Sequence, residues 1–277
     1  MVRDGGAPEP QSSALPPDDD PVSALSPFLL KRFDGYLRWY IRRNFHALRL
    51  SLRGIPRLLT GRPAVVFTNH PSWWDPALFI VLSRMMYPER PSFGPMDAEA
   101  LKKYGFFRRV GVFGIEPDTA RGAARFLSVG GRVLADSRAI LWVTAEGDFT
   151  DARRRPVRLR RGIAHLARRT PGTAFVPLAM EYPFWNERYP EALISFGDPI
   201  LPESEGPRTV DEWTDFFEAR LSHLMDDLAE DAISREATRF ETLIDGSVGV
   251  GGVYDVWRRL RAVGAGRAFS ARHDESA

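Results

Sequence analysis

The sequence predicts an α/β fold: a mostly parallel, helix-covered sheet with an N-terminal amphipathic helical segment and C-terminal helices. From residue 63 onward, short apolar runs alternate with segments of helical periodicity, which is the order that βαβ units produce. The apolar runs show little polar alternation, as strands buried on both faces require. With 277 residues, 44% of them hydrophobic, the chain is long enough for one α/β core with helical additions.

Composition divides the chain into four regions. Residues 1–25 are rich in Pro, Ser and Asp and predict a disordered tail, because they contain too few large apolar groups to form a core. Residues 26–60 predict an amphipathic helical segment, and residues 61–205 predict the α/β core. Residues 206–277 predict C-terminal helices that cover the sheet, followed by a flexible Gly-rich tail.

The segment Ser26 to Leu50 predicts one amphipathic helix, in which aromatic and aliphatic residues recur at helical spacing between lysine and arginine. This composition is typical of a helix in the membrane interface, where aromatic rings lie at headgroup depth and cations contact anionic lipid. A helix that packs on its own domain and exposes a basic face has the same pattern. The sequence is therefore compatible with both interpretations.

The core region contains six apolar runs with strand character and four helical segments, and one or two helices follow. The predicted strands are 64–69, 92–96, 109–115, 139–145, 174–180 and 192–198. The predicted helices are 76–86, 97–104, 119–135, 160–170 and the C-terminal stretch 209–244.

Composition excludes several classes of site. The chain has no cysteine, which excludes a disulfide scaffold, a thiolate zinc site and a cysteine nucleophile. Its five histidines lie far apart, so we expect no metal site. The arginine-rich stretch lacks a recognisable nucleic-acid-binding motif, so we expect no nucleic acid partner. No apolar run is long enough to span a bilayer and no export signal is present, which predicts a cytoplasmic protein.

The stretch VVFTNHPSWWDP predicts a catalytic pair at the end of a buried strand. His70 follows the strand directly, at the sheet edge where ligands bind in α/β proteins, and one short turn brings Asp75 back onto its ring. A carboxylate in that position orients the imidazole and stabilises the imidazolium, so that the other ring nitrogen can act as a general base. The alternative is a structural histidine bonded to a backbone carbonyl, with Asp75 as a helix cap.

Glu146 and Gly147 follow another predicted strand in the same way, so in a parallel sheet they lie at the same edge as His70. A loop with Arg153 and Arg154 comes next. The alternatives are a buried, paired carboxylate at Glu146 and a solvated run of charge in the loop.

Five blocks taken together resemble the glycerolipid acyltransferases, the family of lysophosphatidic acid and glycerol-3-phosphate acyltransferases. Asn69 to Asp75 matches the N-H-x-x-x-x-D motif of that family. The remaining resemblances are those of 111–116 to the second block, 144–150 to the third, 160–167 to the basic segment after it and 175–180 to the fourth. Order and spacing fit across about residues 62–200.

The resemblance implies transfer of an acyl group from an acyl-CoA or acyl-carrier-protein thioester to a hydroxyl of a membrane lipid. His70 would be the base and Asp75 its orienting partner, with no cofactor beyond the thioester co-substrate. The implied substrate-binding residues are Asn69, Gly111, Ile115, Glu146, Gly147, Asp148, Arg153 and Arg154. Because such substrates carry long chains, the resemblance also implies a protein bound peripherally to the inner face of the membrane.

The chain departs from the family at two positions. An arginine usually closes the second block, where this chain has Glu116, and another follows the third block, where it has Asp148 and Phe149. Arginine suits phosphate because its guanidinium binds two oxygens at once. We therefore expect an acceptor with an uncharged, sugar-like or amine-bearing head rather than a phosphate, unless the neighbouring arginines supply the charge. Two other functions remain open: a hydrolase that uses the same pair, and a lipid-binding protein without catalysis.

Overall fold

An eight-stranded sheet carries helices on both of its faces. The computed structural model describes residues 20–54 and 59–247. The strands are β1 Ala47–Ser51, β2 Ala64–Thr68, β3 Ser92–Asp97, β4 Val112–Ile115, β5 Ile140–Thr144, β6 Ala174–Glu181, β7 Glu191–Phe196 and β8 Phe240–Asp245. The helices are α1 Pro21–Ala24, α2 Pro27–Asn44, α3 Asp75–Met86, α4 Ala98–Lys103, α5 Ala120–Val133, α6 Gly162–Arg169 and α7 Val210–Ser234.

The order of the strands across the sheet is β4-β3-β5-β2-β6-β7-β1-β8. Among the described strands, the pairs β6–β7 and β1–β8 are antiparallel and the other pairs are parallel. The predicted fold class, a mostly parallel sheet covered by helices, is confirmed. The strand β2 lies near the centre, between β5 and β6, so the residues that follow these three strands meet at one edge.

Consecutive residues of β2 belong to two hydrophobic cores, one on each face of the sheet. Val65 and Phe67 pack in the core under α5, α6 and α7, and Val66 packs in the core under α2 and α3. This division explains why the strand is apolar from Ala64 to Phe67, with no polar face for solvent. The central strand is therefore packed on both sides, and this packing fixes the position of the residues that follow it.

The helix predicted over Ser26 to Leu50 is shorter than expected. The structure ends α2 at Asn44, and the following residues form the strand β1, which pairs with β7 and β8. Leu48 continues the helical spacing of Ile41 along the sequence, yet every residue of β1 is buried between its two neighbouring strands. Backbone pairing in the sheet overrides the local periodicity here.

The C-terminal region also differs from the prediction. Helix α7 ends at Ser234, Arg235 adopts a left-handed conformation with φ of 55°, and Phe240–Asp245 forms the edge strand β8 antiparallel to β1. The strand predicted over 109–115 is likewise shorter, because Gly105–Val110 forms a 3-10 helix before β4 begins.

The two predicted tails fall mostly outside the described residues. Residues 1–19 of the predicted N-terminal tail and residues 248–277 at the C-terminus lie outside them, as do residues 55–58. The last part of the predicted N-terminal tail contains the short helix α1, which begins after Asp20 as its cap.

Candidate active site

Polar side chains follow three neighbouring strands at one edge of the sheet. Asn69 and His70 follow β2, Glu146 follows β5 closely, and Tyr182 comes directly after β6. Because β2, β5 and β6 are parallel neighbours, their carboxyl ends lie side by side. The edge therefore brings together an imidazole, a carboxylate and a phenol from distant parts of the sequence.

His70 and Asp75 form a close hydrogen-bonded pair. The Nδ1 atom of His70 lies 2.6 Å from Oδ2 of Asp75, the first residue of α3. The turn between them is closed by Ser72, whose carbonyl accepts from the Asp75 amide at 3.1 Å and whose amide donates to Oδ2 at 3.2 Å. The His70 side chain is 14% exposed, and with Nδ1 on Asp75 its Nε2 atom is the nitrogen left to meet a substrate.

Asp75 is fully buried, and its carboxylate is held by hydrogen bonds on both oxygens. Burial raises the pKa of Asp75, while the bonds from His70, Tyr182 and Ser72 oppose that rise. The Tyr182 hydroxyl donates to Oδ1 at 2.6 Å. A buried carboxylate is costly without hydrogen-bond partners, and these contacts supply them to Asp75.

Tyr182 is a residue of the site that the sequence analysis does not predict. Burial and the neighbouring Asp75 carboxylate raise the pKa of Tyr182 well above its ordinary value, so its hydroxyl remains a donor. The sequence did hold a signal, because Tyr182 follows the end of β6 as His70 follows the end of β2. That signal becomes specific only once β6 is known to lie beside β2.

Glu146 holds the backbone of His70. Its Oε2 atom accepts from the His70 amide at 2.7 Å, and the Thr150 amide donates to the His70 carbonyl at 2.9 Å. Burial raises the pKa of Glu146, and the bond from His70 and the charges of Arg155 and Arg154 oppose that rise. The loop after β5 thus fixes both backbone polar groups of the candidate base.

The same loop lays an aromatic ring against His70. Gly147 has a φ of 80°, a left-handed conformation that favours glycine and turns the chain after β5. Phe149 follows, with its ring centroid 4.4 Å from that of His70 and its side chain 64% exposed. The imidazole is therefore bordered by an apolar ring on the solvent side.

Acidic residues bind two of the arginines near this edge, Arg153 and Arg160. Arg160 donates to Asp148 at 2.9 Å and also pairs with Asp118 of the loop after β4. Arg153 is exposed and forms an ion pair with Asp151 at 2.7 Å. The charge that this loop presents is thus partly balanced within the protein.

Two predicted substrate-binding residues lie farther along the sheet. Gly111 precedes β4 and Ile115 is the last residue of that strand, which β3 and β5 separate from β2. Gly111 has a φ of 96°, and a side chain there would overlap the carbonyl oxygen of Ser92. The structure therefore gives Gly111 a backbone role, and it does not bring these two residues next to His70.

Asn69 is buried and joins β2 to β6 beyond the last backbone pair. Its Nδ2 atom donates to the Met180 carbonyl, and its Oδ1 atom accepts from the Met180 amide, both at 2.9 Å. The side chain thus replaces a strand residue in the ladder and fixes where His70 begins. The substrate contact expected of Asn69 stays a prediction.

We expect Asn69→Ala to lower the free energy of unfolding by about 2 to 4 kcal/mol, because the Met180 amide and carbonyl would be left buried without partners. Urea unfolding followed by circular dichroism measures this. Ser195→Ala is the matched control, since the Ser195 hydroxyl is buried on the neighbouring strand β7 without a hydrogen-bond partner. Equal losses in the two variants would contradict the assigned role of Asn69.

Within residues 20–54 and 59–247, no group of three or more His, Asp or Glu side chains is arranged to hold a metal ion. The chemistry that the described site offers is that of a hydrogen-bonded base with a buried, oriented carboxylate behind it.

The model of the Acyltransferase family matches residues 49–181. The match runs from β1 to the last residue of β6, so it contains the His70–Asp75 pair and Glu146. No curated protein matches the chain. Residues 49–181, which contain the His70–Asp75 pair, are therefore similar to the acyltransferase family.

Proposed function

We propose that this protein is an O-acyltransferase that moves a fatty acyl group from an acyl-CoA or acyl-carrier-protein thioester to a hydroxyl of a membrane lipid. The observation that carries the proposal is the His70–Asp75 pair, 2.6 Å apart at the carboxyl edge of the sheet and inside the acyltransferase match. Acyl transfer is the activity class of the family. The thioester donor and the lipid acceptor are the proposed details.

In the proposed reaction, the Nε2 atom of His70 accepts the proton of the acceptor hydroxyl. At the same time, the hydroxyl oxygen of the acceptor attacks the carbonyl carbon of the thioester. The carbon–sulfur bond of the resulting tetrahedral intermediate then breaks, and the His70 imidazolium donates its proton to the leaving thiolate. Asp75 stabilises the imidazolium between these two steps. The route needs no covalent intermediate on the enzyme, which agrees with a chain that has no cysteine.

We propose an acceptor whose head is not a phosphate, such as a glycosylated or amine-bearing lipid. Where the resemblance to glycerolipid acyltransferases leads one to expect an arginine, this chain has the exposed ring of Phe149 against His70. Nearby, Asp148 is bound to Arg160. At this position an apolar ring and a balanced ion pair therefore replace the guanidinium that would bind two oxygens of a phosphate.

We propose that the protein acts at the inner surface of the membrane. One face of α2 presents three exposed aromatic side chains, Phe28, Tyr36 and Trp39, with Arg32 over the first ring and Arg43 over the third. These five residues, here named the aromatic stripe, recur at spacings of three or four. Exposed rings interleaved with arginine suit an interface that carries anionic headgroups.

The aromatic stripe connects to the candidate active site through further rings. Trp39 stacks on Tyr40 at 6.5 Å, Tyr40 contacts Trp74 at 5.0 Å, and Trp74 stacks on Trp73 at 4.5 Å, in the turn that follows His70. None of the described helices is long and apolar enough to cross a bilayer. Docking through the stripe would bring His70 close to lipid headgroups without a membrane span.

The test is acyl transfer with purified protein in lipid vesicles, measured by thiol release from long-chain acyl-CoA and acyl-carrier protein and by mass spectrometry of the lipids. The acceptor panel contains lysophosphatidate, glycerol 3-phosphate, a glycolipid and an amine-bearing lipid. We expect release that depends on acceptor, with at least tenfold faster acylation of a non-phosphorylated one. Faster acylation of lysophosphatidate would overturn the acceptor proposal. Acceptor-independent release would indicate a hydrolase, and no release from either donor would favour a lipid-binding protein.

A further inference from the structure

The two oxygens of Asp75 have different partners. Oδ2 accepts from the His70 ring and from the Ser72 amide, both within its own turn. Oδ1 accepts from the Tyr182 hydroxyl at 2.6 Å, which comes from the end of β6, more than one hundred residues later in the sequence. The orientation of the carboxylate is therefore set by its own turn on one side and by the neighbouring strand on the other.

Tyr182 is itself firmly placed. Its ring lies 5.7 Å from that of Phe45, which also packs on Trp74 at 4.8 Å. Two residues earlier, the backbone of Met180 is bonded to the side chain of Asn69. The end of β6 is thus tied to the end of β2 by backbone-like bonds and, through Tyr182, by a bond to the candidate catalytic pair.

We propose that Tyr182 is a positioning residue of the acyltransferase site: its hydroxyl keeps Asp75 ionised and oriented, so that Asp75 can stabilise the His70 imidazolium. This inference rests on the proposed function of His70. A buried carboxylate that loses one of its donors is more easily protonated and freer to rotate. Either change weakens the support for the positive charge that forms on His70 during transfer.

The kinetic test uses Tyr182→Phe, which removes one hydroxyl and keeps the ring. We expect kcat to fall about tenfold with KM changed less than about twofold, because the lost interaction acts on the transition state. In an Asp75→Asn background the same substitution should change kcat less than about twofold, since Tyr182 acts through the carboxylate. An equal fall in both backgrounds would overturn the proposal.

Tyr87→Phe is the matched control, because the Tyr87 hydroxyl is buried without a hydrogen-bond partner. Burial also raises the pKa of Tyr87 to about 12, so this phenol stays neutral in the range tested. We expect kcat of this variant within about twofold of the unmodified protein. A fall in kcat as large as that of Tyr182→Phe would mean that removing any buried phenol hydroxyl lowers the activity, and that the position of Tyr182 is not the cause.

A second measurement needs no substrate. The described groups that face Asp75 are His70, Ser72 and Tyr182, and burial raises the pKa of Asp75 above its unfolded value. Folding therefore favours the protonated form of Asp75. The free energy of unfolding falls as the pH rises from the pKa of Asp75 in the unfolded chain, about 4, toward its pKa in the folded protein. Tyr182 reduces this loss, so Tyr182→Phe should destabilise the protein more at pH 7 than near pH 4.

We expect the ratio of unfolding constants, variant to unmodified protein, to be about tenfold larger at pH 7 than near pH 4 for Tyr182→Phe. For Tyr87→Phe the ratio should be the same at both pH values. A pH-independent effect of Tyr182→Phe would overturn the proposed contact with the ionised carboxylate. If the stability result holds while His70→Ala keeps full activity, the proposed function fails and the Tyr182–Asp75 coupling stands.

Discussion

We expect His70→Ala to lower kcat for acyl transfer by about 10³-fold or more. The substitution removes the group that accepts the hydroxyl proton, and general bases of this kind contribute about 10² to 10⁴ in rate. It also removes the imidazolium that Asp75 is placed to stabilise. The measurement is steady-state acyl transfer to the acceptor that proves active in the panel described above.

The control for this prediction is another His–Asp pair in the same protein. His223 and Asp227 lie on α7, with Nδ1 and Oδ2 3.1 Å apart, and the His223 side chain is exposed. His223→Ala should leave kcat within about twofold, because an exposed surface pair has neither a buried carboxylate nor a place at the sheet edge. Loss of activity in both variants would argue against a specific role for His70.

Stability must be monitored in the same variants. His70→Ala removes the ring that bonds the buried Asp75 carboxylate, and we expect this to cost about 1 to 3 kcal/mol of unfolding free energy. His70→Gln keeps a side chain that can donate to Asp75 but cannot act as a base at neutral pH. If His70→Gln is folded and still transfers acyl groups at the unmodified rate, the proposed mechanism is wrong.

The parts of the fold that could be predicted from sequence are those in which local pattern and tertiary structure agree. β2 is apolar from Ala64 to Phe67, is buried on both faces, and is followed by Asn69 and His70. Asp97 and Thr119 cap α4 and α5, as their residue types indicate. In such segments the residue types alone indicate burial and secondary structure, so a single sequence is sufficient to predict them.

The errors occurred where distant pairing decides the structure. The sequence predicts that β1 continues α2 and that β8 continues α7, because the apolar residues of both strands also fit helical spacing. These two strands pair with each other from opposite ends of the chain. No local pattern carries that information, and the same reason explains why Tyr182 was not recognised as a partner of Asp75.

The candidate site shows the same division between local and distant information. The His70–Asp75 pair is local, five residues apart, and its geometry follows from one turn. The contact of Glu146 with the His70 amide required knowledge that β5 lies beside β2, which strand alternation does suggest. The partners of the arginines in the following loop depend on side-chain positions that the sequence does not specify.

Helix α2 has two distinct apolar faces, so packing on its own domain leaves one face available for the proposed contact with the membrane. Leu37 and Ile41 are buried against the core under α2 and α3. The aromatic stripe lies on the other side, exposed and accompanied by arginine. Packing of α2 on its own domain does not account for the exposure of Phe28, Tyr36 and Trp39, at 66%, 51% and 51% of their surface.

We therefore expect the triple variant Phe28→Ser, Tyr36→Ser and Trp39→Ser to bind anionic phospholipid vesicles about 100-fold more weakly, as measured by co-sedimentation. Each ring should contribute about 1 kcal/mol of partitioning, and the sum corresponds to about two orders of magnitude. Binding of the unmodified protein should also weaken in high salt, because Arg32 and Arg43 lie over the rings of the stripe.

The control for the stripe is the double variant Phe184→Ser and Ile233→Ser. Both side chains are exposed and apolar, at 63% and 80% of their surface, but neither belongs to α2. If overall surface hydrophobicity drives vesicle binding, this variant should weaken it as much as the changes in the stripe do, and the docking proposal fails. If the stripe is the docking surface, the double variant should bind normally. The stripe variant should then lose transfer to vesicle-bound acceptors while keeping transfer to a soluble short-chain acceptor, because its His70–Asp75 pair is untouched.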